Sequence, residues 1–460
     1  MTLPFGVAVE ATNATVFGFE HAPKDVRVVT DTRAIVPGDT FLALRGERFD
    51  GHAYVGEALA KGAVAVIIED ADAWPKSGTA LVVADTLKAY MSLAGAARTR
   101  FRGRVLGITG SAGKTTTKFL AAQLLALHYG TRVLTSPANE NNEIGVSKLL
   151  LNADNDRHDV LVVEMGARHF GDIAALVEIA RPHIGILTNV GDAHIEIMGS
   201  RERLEETKWA LFAAGARAVI NARDIASITR APGLAHRPHW FYAGNERSEI
   251  PTSGRVTAIC NDRLIDFDID TARDRDVRVD IRIPGAHNRE NLAAAIAAAL
   301  EFDVDLDAIA AAIPDLAMPE GRYERMQLPS GVTLIYDAYN ANAAGMMAAL
   351  DAFAQEEAKR RIALLGSMAE LGEAASELHL RVGAHAAETQ VDVMLVGGEF
   401  AGELSAGAVR AGLSSERIVP FATNAQAAQW VRTNARAGDA VLLKGSRKYH
   451  LEEIVEELRK

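Results

Sequence analysis

The chain has 460 residues, 48% apolar and 24% charged, enough for a sizeable core and, at roughly 150 residues per domain, for about three domains. Its net charge of −11 disfavours a sequence-independent nucleic-acid binder, so no nucleic-acid partner is expected, and a phosphorylated ligand needs local cations and backbone amides. The single cysteine, Cys260, excludes an intrachain disulfide framework, no apolar run approaches the roughly 18 residues of a spanning helix, and the opening MTLPFGVAVEATNA has no basic n-region, so we expect a cytoplasmic protein without membrane insertion.

Short β-rich runs alternate with longer Ala-rich helical patterns, which predicts an α/β fold of parallel sheets covered by helices. The first block carries strands at DVRVVT (25–30), TFLAL (40–44), VAVIIED (64–70) and ALVVAD (80–85), with a helix around EALAKG. The Ala-rich stretch from Asp85 to Arg100 fits either this block or the next. A second block runs through RVLGITG (104–110), RVLTS, HDVLVVEM, HIGILTNV and RAVIN, near-continuous apolar strands of the kind buried on both faces. Between 255 and 283, VTAIC, LIDFDID and VRVDIRI predict an antiparallel meander attached to that block. The Pro- and Gly-containing IPDLAMPEGRYER (313–325) predicts a linker. Beyond it VTLIYDAY, RIALLGS, VDVMLVGG, RIVPFA and DAVLLKGS alternate with helices in a doubly wound, Rossmann-like third block. The expected boundaries are 1–84, 85–316 and 317–460.

The sharpest local signal is GITGSAGKTTTK (107–118), directly after an apolar strand and opening a helix. Gly110 and Gly113 let the backbone turn so that the amides around Ser111 and Ala112 face a phosphate at a helix start. Lys114 can reach β/γ-phosphates, and the Thr115 or Thr116 hydroxyl can bind Mg²⁺. The first glycine is displaced: Ile108 stands where the generic pattern asks for Gly, and Gly107 lies one earlier. Glu164 ends a strand expected beside this loop, and His194 follows another; with the threonines they are candidate ligands of a hard cation, although a lone histidine there also suits a structural role.

Taken in order, these residues resemble the Mur ligase superfamily, ATP-dependent amide-forming enzymes of peptidoglycan precursor synthesis. TGSAGKTT resembles that family's phosphate loop, and EMGARHFGDI, TNVGDAHIE and GAHNRENLAAA resemble further family blocks in the same order. NENNEIGVSKLLL (139–151), DAYNANAAGMMAAL (337–350), LGSMAELGEAASELH (365–379) and LLKGSRKYHLEEIV (442–455) resemble the branch that joins D-alanyl-D-alanine to UDP-N-acetylmuramoyl-tripeptide.

The resemblance implies three domains: a small UDP-sugar-binding domain, a central phosphate-loop ATPase-type domain and a C-terminal domain for the incoming dipeptide. It implies an acyl phosphate formed on ATP, domain closure over the nucleotide and use of two Mg²⁺ ions; a monomer is expected, although nothing in the sequence speaks to oligomeric state. Lys114, Glu164, His194 and Lys208 take the catalytic positions, with Thr115, Glu164, His194 and Lys208 around metal; Lys208 matches a lysine that many members carbamylate. Without the resemblance, Lys208 behind Glu205 and Glu206 would be a solvated helical charge. His287 and Asn291 correspond to adenine neighbours, Arg322 to an arginine reaching the nucleotide and Asp337 to a ribose acceptor. Capping by Asn288, a linker salt bridge and a strand-end carboxylate are the alternatives. Thr32, Arg33, Gly51 and His52 are candidate contacts for the UDP-sugar, with a turn and a surface pair as the alternative. The asparagines Asn139 and Asn142 join the substrate candidates, as do Asn340, Asn342, Lys444 and Arg447, in strand-end loops, for the dipeptide. The competing functions are a sister ligase adding a single amino acid and a phosphate-loop switch ATPase.

Overall fold

The computed structural model describes residues 1–46, 49–137, 140–191, 198–244, 253–369 and 371–460. Three sheets of five, nine and six strands organise the chain, with a two-stranded ribbon beside the first. The nine-stranded sheet runs Arg273–Arg278, Arg263–Asp268, Arg255–Cys260, His239–Ala243, Arg217–Asn221, Ile184–Leu187, Arg104–Thr109, Val160–Glu164, Val133–Thr135. Its strands pair in parallel from Val133–Thr135 to Arg255–Cys260, and the last two are antiparallel. The strands Val160–Glu164 and Ile184–Leu187 are buried along their whole length, as parallel strands covered on both faces must be. Arg104–Thr109 lies between them, so the loop leaving its carboxyl end opens at a reversal of strand order, where such sheets bind ligands.

Two helices form the layer over this loop. Lys114–Tyr129 starts from Gly113 in left-handed conformation, and Ala286–Glu301 packs against it with Leu292 to Leu300 buried. The alanines that dominate this buried run let the helix approach helix and sheet closely. Helix Thr86–Arg100, capped by the Asp85 side chain on Lys88 N–H, packs on helices Phe5–Thr12, Glu143–Leu151 and Asp172–Ala180. It thus shares one apolar cluster with both the first and the second sheet's helices.

The third sheet runs Glu324–Gln327, Thr333–Tyr336, Ala440–Lys444, Arg361–Gly366, Val393–Gly397, Ile418–Phe421, with only the first strand antiparallel. Here the predicted linker ends sooner than expected, because Glu324 to Gln327 pair with Thr333 to Tyr336 across a tight turn. The last meander strand is also shifted: it occupies 273–278 instead of 277–283. A turn with Ala272 at φ 53° sets Arg273 opposite Asp268, and the exposed strand is held by Arg263–Asp276 and Arg278–Asp262 ion pairs instead of apolar alternation. No helix among the described residues is long and apolar enough to cross a membrane.

Candidate active site

The loop after Arg104–Thr109 is shaped by two glycines that no other residue could replace without displacement. A Cβ on Gly110 would fall 1.9 Å from Thr188 Oγ1, and one on Gly113 2.2 Å from Asn291 Oδ1. The neighbouring strand end ties the loop down: Ser111 N–H donates to Asn189 O (3.0 Å), Ala112 N–H to Asn189 Oδ1 (3.1 Å) and Thr188 Oγ1 to Ala112 O (2.6 Å). The Ser111 and Ala112 amides are therefore satisfied within the protein, whereas the first-turn amides of Lys114, Thr115 and Thr116 have no intrahelical acceptor. Lys114 Nζ folds back on Gly110 O at 2.7 Å and Ser111 O at 3.4 Å. Burial lowers its pKa, partly opposed by the Glu164 carboxylate and aided by the Arg322 charge.

Glu164 is 1% exposed, so it is no solvated strand-end carboxylate. Its Oε1 accepts from Thr115 Oγ1 (3.1 Å) and Asn141 Nδ2 (2.8 Å); Oε2 lies 3.2 Å from Lys118 Nζ and accepts no hydrogen bond. A hydroxyl beside a buried carboxylate is oxygen chemistry suited to a divalent cation such as Mg²⁺. Among the described residues no group of three or more His, Cys, Asp or Glu side chains forms. His194 lies outside the described residues, as does Asn139.

Lys208 is 2% exposed, so the solvated-helix alternative is wrong. Leu204, Thr207 and Lys208 form the inward stripe of helix Arg201–Trp209. Burial, and then the positive charge of Lys114, bring the Lys208 pKa down to about 7, while Asp172 opposes the shift. A substantial share of its amine is therefore neutral near pH 7.

Above the loop, Asn291 Oδ1 accepts from Thr117 Oγ1 (3.3 Å), and Asn291 Nδ2 donates to Asn288 Oδ1 (3.4 Å). Asn288 does not cap this helix: Gly285 occupies the cap, and Asn288 Nδ2 donates to Pro284 O at 3.1 Å. Burial lowers the His287 pKa, with the Asp337 carboxylate opposing the shift. The third sheet faces these groups with its strand ends. Lys444 Nζ lies 3.0 Å from Asp337 Oδ2 and donates to Asn340 O at 3.1 Å. Both the lysine and the aspartate are buried. Arg322 does not form the linker salt bridge; its guanidinium lies 4.5 Å from the Tyr339 ring centroid, with that of Arg447 5.2 Å from the same ring.

The second and third units together enclose a cavity of about 460 Å³, lined by Ser111 to Thr116, Glu164, His287, Asn291, Arg322, Asp337, Asn340, Asn342 and Lys444. Asn340 and Asn342 also stiffen their loop, each accepting from a nearby amide, and Asn342 caps helix Ala343–Ala354. Asn142 caps helix Glu143–Leu151 through Gly145 N–H (3.0 Å), so Asn141, one residue earlier, is the asparagine that reaches Glu164. Asn141, Lys118, Thr188, Asn189 and Tyr339 escaped sequence reading, and NENN offered no way to rank its asparagines.

The first-unit candidates lie apart from this cavity. Thr32 Oγ1 donates to Glu57 (2.9 Å), and Arg33 pairs with Asp31 in the open. His52 is built in: its Nδ1 meets Asp50 Oδ1 at 2.6 Å and its Nε2 accepts from Glu69 N–H at 2.9 Å. Gly51 is required, since a Cβ would meet Leu44 O at 2.7 Å.

Three families match in sequence: the Mur ligase family catalytic domain over residues 27–101, the Mur ligase middle domain over 108–299, and the Mur ligase glutamate ligase domain over 321–447. A UDP-N-acetylmuramoyl-tripeptide–D-alanyl-D-alanine ligase of Synechocystis is 36% identical over 442 residues, covering 95% of this chain and 93% of its own. A crystal structure of MurF from Acinetobacter baumannii superposes with a TM-score of 0.86 at 27% identity, over 100% of this chain and 99% of that one. MurF ligase from Thermotoga maritima, crystallised with ADP, gives 0.79 at 29% identity over 94% and 97%.

Proposed function

This chain belongs to the Mur ligase family, and we propose that it joins D-alanyl-D-alanine to UDP-N-acetylmuramoyl-tripeptide at the expense of ATP, through an acyl phosphate. The observation that carries this reading is the cavity in which the anion-binding helix start, the buried Glu164 and the strand-end groups of the third sheet converge.

The first-turn amides of Lys114 to Thr116 hold the terminal phosphates, and the Lys114 ammonium exchanges its carbonyl partners for phosphate oxygens. Asn291 offers an amide to the adenine edge beside His287, and Asp337 offers a carboxylate to ribose hydroxyls while Lys444 holds it in place. Thr115 and Glu164 would hold Mg²⁺, together with His194 and a carbamylated Lys208 for a second ion. When bound, the metal supplies Lewis-acid neutralisation of phosphate charge as the peptide carboxylate approaches. Lys114 and Arg322 add fixed positive charge to the same region, where two anions must meet. Carbamylation converts the Lys208 amine, depressed to about 7, into an anion and turns its repulsion with Lys114 into attraction. The dipeptide amine then displaces phosphate from the acyl phosphate, with Asn340, Asn342 and Arg447 on the third-unit side of the cleft. Thr32, Arg33, Gly51 and His52 belong to the unit proposed to receive the UDP-sugar.

The test incubates the protein with ATP, Mg²⁺, UDP-N-acetylmuramoyl-tripeptide and D-alanyl-D-alanine, following phosphate release and product mass. Phosphate release with the mass of the pentapeptide product is expected. A product from a single amino acid instead, or hydrolysis without any peptide product, would overturn the reading.

A further inference from the structure

A second cavity of about 660 Å³ lies behind the first, with an apolar floor that includes Phe119, Ala122 and Pro319. Thr115, Arg322 and Tyr339 line both cavities and so form the partition between them. The partition has an unusual construction. The Arg322 and Arg447 guanidinium groups share the Tyr339 ring, at 4.5 and 5.2 Å from its centroid, although like charges repel. The electron-rich ring face offsets part of that repulsion, more so where water is excluded. Arg322 Nε is buried without a hydrogen-bond partner, and the Tyr339 hydroxyl lies beside Arg447, not Arg322, so the ring contact and not a hydrogen bond to these atoms orients the Arg322 guanidinium. The backbone is arranged for the contact: Tyr339 N–H donates to Gly321 O (3.3 Å), and Gly321 sits at φ 66°, where a Cβ would come 3.2 Å from the Tyr336 ring.

We infer that Tyr339 is the positioning residue that holds Arg322 at the nucleotide cavity, the aromatic ring serving as the seat for its guanidinium. The inference rests on the proposed ATP-dependent ligation for its consequence, but its measurement is nucleotide affinity, which does not require turnover. The ring is the working part and the hydroxyl is not, so the conservative and the drastic substitution must separate.

The experiment titrates wild type, Tyr339→Phe and Tyr339→Leu with a non-hydrolysable ATP analogue and Mg²⁺ by calorimetry, with thermal melting of each as a check on folding. Tyr339→Phe should bind within about twofold of wild type, and Tyr339→Leu about five- to thirtyfold more weakly, as expected for losing one partly desolvated cation–π contact. Arg322→Gln is the second variant: combined with Tyr339→Leu it should add little further loss, whereas alone it should weaken binding as Tyr339→Leu does. In turnover the same pair should split, with KM for ATP raised far more than kcat is lowered. Equal affinities for Tyr339→Phe and Tyr339→Leu, or fully additive losses in the double variant, would overturn the inference. If the wild type binds the analogue and the variants behave as stated while no peptide product forms, the ligation reading fails and the positioning role stands.

Discussion

Replacing Glu164 by Gln separates what this carboxylate does for the fold from what it does for chemistry. Glutamine keeps the shape and an oxygen for Thr115 and Asn141, but it leaves the Lys118 ammonium, 3.2 Å away and 5% exposed, without its buried counter-ion. Breaking one side of a buried pair costs about 3–5 kcal/mol. Lys118 also keeps its bond to Ser136 O at 3.1 Å, which argues for the lower end, about 3 kcal/mol. Urea unfolding without Mg²⁺ should show this loss in Glu164→Gln. Adding Lys118→Met should recover most of it, since replacing both members of a buried pair by apolar volume is close to neutral. Ligation should be absent in both variants. A Glu164→Gln protein as stable as wild type, or a double variant no more stable than the single one, would refute the pairing argument.

Lys114→Ala should abolish turnover and leave the unfolding curve nearly unchanged, because among the described residues the lysine's hydrogen bonds go to its own loop carbonyls; undiminished phosphate release would remove its proposed role. Lys208→Ala should lose activity that short carboxylates partly restore, and ¹³C-bicarbonate should give the wild type a carbamate signal that grows as pH rises through about 7, where the amine loses its proton. Arg98 ties two helix-end carbonyls, Ala180 O at 2.7 Å and Arg181 O at 3.1 Å, so Arg98→Met should destabilise by about 3 kcal/mol, read by urea unfolding, without altering KM for ATP in the folded fraction. Glu301 is held down to about 2 although burial opposes this, because His239, Arg217 and Arg255 outweigh it. Its folded pKa lies below the ordinary 4.5, so its stabilisation is complete above that value and is lost as pH falls from about 4.5 to about 2; Glu301→Gln should flatten that part of the stability curve.

What the sequence made legible was chemistry carried by residue type within a short window. GSAGKTT announces a turn, an anion-binding helix start and a cation together, and its strand and helix are where the pattern puts them. The parallel core strands were equally plain, because burial on both faces leaves unbroken apolar runs. Elements held by charge were not: Arg273–Arg278 alternates arginine and aspartate, so its pairing shows only when the partner strand is in place. Glu324–Gln327 is a polar edge strand that becomes visible only against Thr333–Tyr336. In the site, a side chain's role depended on register. Asn141 and Asn142 are adjacent and chemically identical, yet one reaches Glu164 and the other caps a helix. Lys118 lies one helical turn beyond Lys114, on the side that meets the Glu164 strand, and nothing local distinguishes it from a surface lysine.

The central claim is that the helix start at 113–116 grips the terminal phosphates of ATP beside Glu164. A crystal structure of the protein with a non-hydrolysable ATP analogue and Mg²⁺ tests it directly. The β- and γ-phosphates should accept from the amides of Lys114 to Thr116, with Lys114 Nζ turned onto them and the metal beside Thr115 and Glu164. Terminal phosphates bound away from this loop, with Lys114 still on Gly110 O, would contradict the account.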